Sequence, residues 1–413
     1  MNPTETLLLH LLDSALRETP PDPARFEGAD WAALLALAEA HKIDALLIDA
    51  VCLLPEALQP PPEVFMPWQQ QAMMTMFSQA LLAEQLHRLL AAFEAAGLRV
   101  VVLKGVALKP LYPQPDLRTM SDADLLIAED QAAAGLSLAE SQGFVLMEEE
   151  PGVKVLSGQE GLRVELHHRL FDQTAYGFLS RLDEAALFPL SITARGAVYG
   201  GEAWLFPPLE HALFMLCHMA KHLITTGFGL RQTADWALFI GAYDAEMDWA
   251  RFWAIAGDLG LSAFAAALLD IGARHLSLPE GRWAAQAPRD AEAADALLLD
   301  IFQAGVFGNQ DDARRRSAAV VYRAYDAKDA DRGRIRRALF PSATSLKAPY
   351  LYARRRRALL PIAWVHRWAM LGIGLLTGRV KRGEMAAGLS IAEKRLALLG
   401  QLGLRDDQQQ TIN

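Results

Sequence analysis

Cysteine is nearly absent: Cys52 and Cys217 are the two among 413 residues. They are far apart, and neither stands in a CxxC or other metal spacing, which excludes a disulfide framework or a zinc knuckle. Long apolar runs are missing too. The longest late one, Trp368 to Thr377, falls short of the ~20 residues that a bilayer span needs. The opening MNPTETLLLHLLDSAL has no basic lead and is interrupted early by acids. It reads as an amphipathic helix rather than a signal peptide, and a soluble, cytoplasmic protein without a transmembrane segment is the expectation. There is no general excess of base: 40 Lys/Arg stand against 49 Asp/Glu, a net −9, which rules out a nucleic-acid coat protein. The charge is uneven, however. Residues 313–382 hold 18 Lys/Arg against 3 Asp, a local balance of +15 that leaves −24 for the remainder. That asymmetry points to an anionic partner for the basic segment. Low-complexity tracts and solenoid-period repeats are not found.

A hydrophobic content of 52% with 8% aromatics describes a globular chain, long enough for two or three domains. Thr4–Arg17 and Trp31–Leu54 carry apolar residues at helical spacing. The ProProAspPro cluster at 20–23 separates them, and ProProPro at 60–62 closes the unit. A long helix is expected from Glu63 to Ala96, stopped by Gly97. After residue 207 the helical pattern returns over 208–223, Leu230–Ile240, Trp249–Gly257, Ser262–His275 and Ala291–Ala304, followed by a basic linker, Arg314–Arg337.

Between these helical regions lies the stretch that organises the chain, Arg99 to Ala128, RVVVLKGVALKPLYPQPDLRTMSDADLLIA. Arg99–Gly105 reads as a strand and a turn, Val106–Tyr112 as a short helix, and Ser121–Ala128 as a second strand. A helix over Glu129–Gln142 and three strands, Phe144–Glu149, Val153–Leu156 and Leu162–Leu170, complete it, with Pro151-Gly152 and SGQEG at 157–161 as turns. The order predicts an α+β fold, a small mixed sheet with helices on one side.

Alternation along a strand puts Asp122 and Asp124 on one face, roughly 6.5–7 Å apart, with Ala123, Leu125 and Ile127 on the core face. Two carboxylates at that spacing suit hard divalent cations, and Mg²⁺ leaves positions for water and substrate phosphates. Glu165, in ArgValGluLeuHisHisArgLeu at 163–170, offers a third carboxylate from another strand, as a two-metal site requires. Lys104-Gly105 ends the first strand. Glycine lets a phosphate approach the backbone, and a helix starting near Val106 would add its N-terminal N–H groups. Lys104 and Arg118 would flank the phosphates, with Ser121 beside them. A DAD pair by itself is commonly a solvated strand end; the combination with the Lys-Gly step, Arg118 and Glu165 is narrower.

LKGVALKPLYPQPDLRTMSDADLLIAEDQAAAG with the later VELHHRL resembles the bacterial uncharacterised nucleotidyltransferase family, within the DNA polymerase beta-type nucleotidyltransferase superfamily. HALFMLCHMAKHL…LRQTADWALFI and LeuProIleAlaTrpValHisArgTrp resemble its later segments. The resemblance implies a nucleotidyltransferase core with two Mg²⁺ ions on Asp122, Asp124 and Glu165, using ATP or another nucleoside triphosphate. It implies four regions: an N-terminal helical region (1–97), the catalytic core (98–206), a helical domain completing the nucleotide cleft (207–310) and a basic helical extension (311–413). Where the superfamily has a Gly-Ser step this chain reads Gly105-Val106, so no serine hydroxyl stands there, and Glu165 stands where Asp is frequent.

Other residues carry two readings each. His167, on Glu165's face, orients a carboxylate or phosphate, or is structural. His218 and His222 have zinc-ligand spacing but lack an HExxH glutamate, since 219–221 reads Met-Ala-Lys; a structural or substrate-lining role fits better. Lys221, Arg231 and Asp235 contact nucleotide, or form a helix-pair salt bridge. Arg354–Arg357 with Trp364, Arg367 and Trp368 is a solvated face, a dock for an anionic acceptor such as RNA or an acidic peptide, or a membrane contact. The activity expected is transfer of a nucleoside monophosphate to a hydroxyl or phosphate acceptor (small molecule, peptide, protein or RNA), with release of pyrophosphate. The alternatives are a non-catalytic nucleotide-binding scaffold and a phosphotransferase moving the γ-phosphate.

Overall fold

A computed structural model describes residues 1–159, 161–171, 178–288, 290–305, 356–376 and 382–404, with single positions or pairs between 314 and 353. Helix α1 (Pro3–Arg17) begins at Asn2, whose side chain accepts from Glu5 N while Glu5 reaches back to Asn2 N, a capping box that satisfies two otherwise orphaned donors. Helix α2 (Trp31–Ala40), capped by Asp30, ends earlier than its apolar pattern suggests. The His41 ring is drawn into the core, where Nδ1 accepts from Leu230 N at 3.1 Å, and Lys42 turns at φ +55°. A 3₁₀ turn and α3 (Ile48–Cys52) follow. Helix α4 (Pro62–Ala95) is the long helix expected, and Gly97 at φ +72° ends it.

A mixed sheet contains β1 (Val100–Val102), β2 (Asp122–Ile127), β3 (Val145–Glu150), β4 (Val153–Ser157), β5 (Arg163–His167), β6 (Ala194–Val198) and β7 (Gly201–Leu205). Their order is β3-β4-β5-β2-β1-β7-β6. The β2/β5 and β1/β7 pairs are parallel and the rest antiparallel. The β6–β7 hairpin extends the sheet past the five strands expected. Its signal is ValTyrGlyGlyGlu, where Gly200 takes φ +85° in the connection.

Alternation sorts the side chains onto two faces. Val100, Val102, Ala123, Leu125, Ile127, Val164 and Leu166 pack against Leu82, Leu86, Leu89 and Phe93 of α4 and Ala132 and Ala139 of α5 (Ala132–Ser141). Gly135 lets α5 come close: a Cβ there would lie 2.8 Å from Ile127 Cδ1. Burying each such leucine or phenylalanine contributes about 1.5–3 kcal/mol, so the C-terminal half of α4 is part of the sheet's own core. The opposite face sends Val101, Leu103 and Leu126 into a larger apolar cluster. That cluster is shared with α1, α6 (Glu184–Leu187), α7 (Pro208–Ile224), α8 (Leu230–Tyr243), α9 (Trp249–Asp258), α10 (Ser262–His275) and α11 (Ala291–Ala304). Two later helices are described, α12 (Leu360–Leu376) and α13 (Arg382–Gln401); Arg395 of α13 donates to Leu223 O at the end of α7 at 2.7 Å.

The helix expected over Val106–Tyr112 is replaced by two 3₁₀ turns, Gly105–Ala107 and Lys109–Leu111. Pro110 has no N–H to bond the Val106 carbonyl and so stops an α-helix after its first turn. Much of the basic segment 313–382, Arg354 and Arg355 included, lies outside the described residues. Trp364 and Trp368 set their rings edge-on against Phe340, with centroids 5.1 and 5.0 Å away. Among the described residues no helix is long and apolar enough to cross a membrane.

Candidate active site

The sheet register decides which acids meet. β2 and β5 run parallel with Asp124 opposite Glu165, Asp122 opposite Arg163 and Leu126 opposite His167. Parallel neighbours lie about 4.8 Å apart, whereas Asp122 and Asp124 are two residues apart along one strand, roughly 6.5–7 Å. The compact group of donors is accordingly Asp124, Glu165 and His167, whose ligand atoms lie within 4.8 Å of one another. Asp122, expected beside Asp124 and Glu165, shares the face but lies outside that group. His167 takes the third place because it sits two residues beyond Glu165 on the same face. Asp122 is half-exposed, and the exposed Ser121 donates its Oγ–H to Asp122 Oδ1 at 3.3 Å rather than facing a free phosphate position.

Lys104 comes to this group from β1. Leu103 N donates to Asp124 O at 3.1 Å, carrying the β1/β2 ladder to its end. Gly105 turns there at φ +62°, with Met120 Sδ 3.2 Å from where a Cβ would stand. Lys104 Nζ then lies 3.0 Å from Asp124 Oδ2. His167 Nε2 is 3.4 Å from Asp124 Oδ1 and 3.6 Å from Glu165 Oε2, close to both but bonded to neither. Burial works against the Asp124 anion, yet the Lys104 ammonium and the His167 ring together hold its carboxyl well below the usual range. Burial would lower the His167 imidazole, but the two carboxylates outweigh it and push it up to about 9. Glu165 is held down as well, His167 being the largest cause.

Helix α7 covers the group from the other side. His218 Nε2 lies 3.1 Å from Lys104 Nζ and 2.8 Å from His222 Nε2. An ammonium only donates, so His218 Nε2 carries the lone pair and its proton is on Nδ1. Burial, reinforced by Lys104, keeps both imidazoles neutral, with His222 pushed down to about 3. The spacing of four that resembles a zinc pair instead serves Lys104. Lys221 is half-buried, with no ion pair among the described residues.

Arg118, Arg231 and Asp235 do not line this group as free nucleotide contacts. Arg118 is 4% exposed, and its fork is taken by Asp235, with Nε to Oδ1 at 3.0 Å and Nη2 to Oδ2 at 2.5 Å. Tyr112 donates to the same carboxylate at 2.8 Å. Arg231 donates to Thr119 O at 2.9 Å. A buried guanidinium needs a counter-charge, so these three pin the 112–120 loop onto α8, and the salt bridge of Asp235 is made to the loop residue Arg118 rather than between two helices. Gln79 of α4 was missed. Its amide pairs both ways with Met120, N to Oε1 at 2.9 Å and Nε2 to O at 2.9 Å, and its Oε1 also accepts from the buried Lys109 Nζ at 2.8 Å. Its signal was a glutamine on the buried helical period of Leu82, Leu86 and Leu89.

The donor set suits one divalent cation: two carboxylates, one imidazole, and a buried His167 Nε2 without a hydrogen bond. A nitrogen among the donors is also tolerated by Mn²⁺ and Zn²⁺.

Residues 27–277 match the family described as uncharacterised nucleotidyltransferase. Among curated proteins none matches this chain. A solved structure of the antibiotic-resistance factor ANT(2'')-Ia is similar over 48% of this chain and 98% of its own, at 15% identity and a TM-score of 0.33. The family match takes in α2–α10, the whole sheet and every residue of the acidic group, more than half of the 413 residues, and the chain belongs to the uncharacterised nucleotidyltransferase family.

Proposed function

We propose that this protein transfers a nucleoside monophosphate from ATP to a hydroxyl or phosphate acceptor and releases pyrophosphate. The observation that carries this is the pairing of Asp124 with Glu165 across two parallel strands, with the Lys104 ammonium against Asp124. Asp124 and Glu165, with His167 and Asp122 beside them, would hold Mg²⁺, two ions if Asp122 turns inward. Bound there, the cation would supply positive charge for the α-phosphate and lower the pKa of the acceptor hydroxyl.

The chain's own residues divide the remaining work. Glu165 is the more open carboxylate, 26% exposed against 3% for Asp124, so it faces the incoming acceptor and takes its proton. The acceptor oxygen forms the new bond to the α-phosphorus, the α–β bridging bond breaks, and the electron pair leaves with pyrophosphate. Lys104 and Lys221 face the negative charge that gathers on the leaving group. In this division residues 98–206 carry the chemistry and 207–310 cover it, with residues 1–97 and 311–413 flanking them.

The test is incubation with α-labelled and γ-labelled ATP, Mg²⁺ and candidate acceptors, followed by mass spectrometry of the products. Label from the α position, with pyrophosphate released, supports the reading. Label from the γ position alone makes the protein a phosphotransferase, and absence of any Mg²⁺-dependent nucleotide binding overturns both.

A further inference from the structure

Asp124 has the Lys104 ammonium at Oδ2, Nζ 3.0 Å away, and the His167 ring at Oδ1, Nε2 3.4 Å away. The carboxylate is 3% exposed and the Lys104 side chain 23%. A divalent cation using Oδ2 needs the position that the ammonium now fills. Two like charges cannot share one carboxylate oxygen at contact distance without a large Coulomb cost. The ammonium also has a second acceptor: His218 Nε2 lies 3.1 Å from Nζ, on the α7 side, and because an ammonium only donates, that nitrogen carries the lone pair.

We propose that Lys104 is a built-in stand-in for the divalent cation. It neutralises Asp124 while the site is empty, gives up Oδ2 when a cation binds, and is then held by His218 with its ammonium turned toward the triphosphate. His218 is thus a positioning residue that acts through Lys104. This rests on Asp124 being a cation ligand, as argued for the proposed function.

Mn²⁺ binding to the full chain, without nucleotide, tests the idea by the electron paramagnetic signal of the free ion. Lys104→Met removes the competitor, so Mn²⁺ affinity rises about tenfold, equivalent to about 1.4 kcal/mol, while MgATP affinity falls. His218→Ala leaves Lys104 with Asp124 alone, so Mn²⁺ binds more weakly, by about threefold on the same scale. In the Lys104→Met background His218→Ala changes nothing. An unchanged or lowered Mn²⁺ affinity in Lys104→Met overturns the proposal, as does a His218→Ala effect of equal size in both backgrounds. If Lys104→Met does not fold, Lys104→Gln carries the same expectation. Asp124→Asn separates the two levels of argument. Mn²⁺ binding that is lost in Asp124→Asn but indifferent to Lys104 sinks the stand-in and spares the ligand reading. Binding that survives Asp124→Asn sinks both.

Discussion

Arg118 and Asp235, 117 residues apart in the chain, meet fork to fork below the surface, with both carboxylate oxygens engaged. The pair ties the loop that leads into β2 to helix α8, so it sets where Asp122 and Asp124 begin. Burial and the Asp235 carboxylate act in opposite directions on the guanidinium, and the carboxylate prevails, raising it above its ordinary value.

Removing one partner of a buried pair leaves the other uncompensated, at a cost of about 3–5 kcal/mol. Asp235→Asn should lower stability to urea by that order. An Arg118→Met/Asp235→Leu double variant should recover most of the loss, since apolar replacements of similar volume leave no orphaned charge. A double variant as unstable as the single one would show that the pair has a role besides neutralisation.

Asp124→Asn and Glu165→Gln should each lower nucleotidyl transfer by on the order of 10²–10³ or more, the scale for loss of a group that stabilises transition-state charge. The stabilisation of the melting temperature by Mg-ATP should disappear in Asp124→Asn. Asp122, outside the compact donor group, should show the smaller effect on cation binding measured without nucleotide.

The His167 imidazole, raised to about 9 from 6.5, is more basic in the folded chain than in the unfolded one. Its contribution to stability is therefore complete below about pH 6.5 and is lost as the pH rises toward 9. The stability difference between the cation-free protein and His167→Gln should shrink across that window, by at most about 1.4 kcal/mol per unit. Adding Mg²⁺ should lower the His167 titration seen by NMR, because a cation on Asp124 and Glu165 replaces the ring's partner charges.

Lys109 shows the opposite sign. It is 0% exposed, donates to Gln79, and sets its ammonium 4.2 Å from the centre of the Tyr199 ring. Among the described residues no carboxylate pairs with it. Burial, then the nearby Arg118, push it down to about 7 from 10.5. The unfolded chain thus binds more protons between about pH 7 and 10.5, and the native state gains stability as pH rises through that range. Lys109→Met should be more stable than wild type at pH 6, and the advantage should shrink toward pH 10. A pH-independent difference would mean that the ammonium is solvated.

What could be read without coordinates was local. Apolar runs bounded by turns located β1–β5, and the helical period located α4 and α7–α11 to within a few residues. Alternation put Asp122 and Asp124 on one face, and Glu165 with His167 on another strand's face. The burial of Arg118 against Asp235, by contrast, is not legible, because a solvated arginine and a buried one look alike in a linear pattern. The β6–β7 hairpin, short and polar at its start, lay below the same threshold, although GlyGly at 200–201 marked its turn.

The sequence by itself determined the alternation of the acidic strand, the turn at Gly105 and the helices around the sheet, because each depends on neighbours within one or two turns of chain. The tertiary structure alone decided that β2 and β5 run side by side in parallel, which pairs Asp124 with Glu165 and leaves Asp122 at the edge. It also decided that Lys104 rests between Asp124 and His218, and that Arg118 is neutralised by Asp235. These contacts join residues 20 to 117 positions apart. They follow from which apolar faces bury one another, and no local window of the chain holds that information.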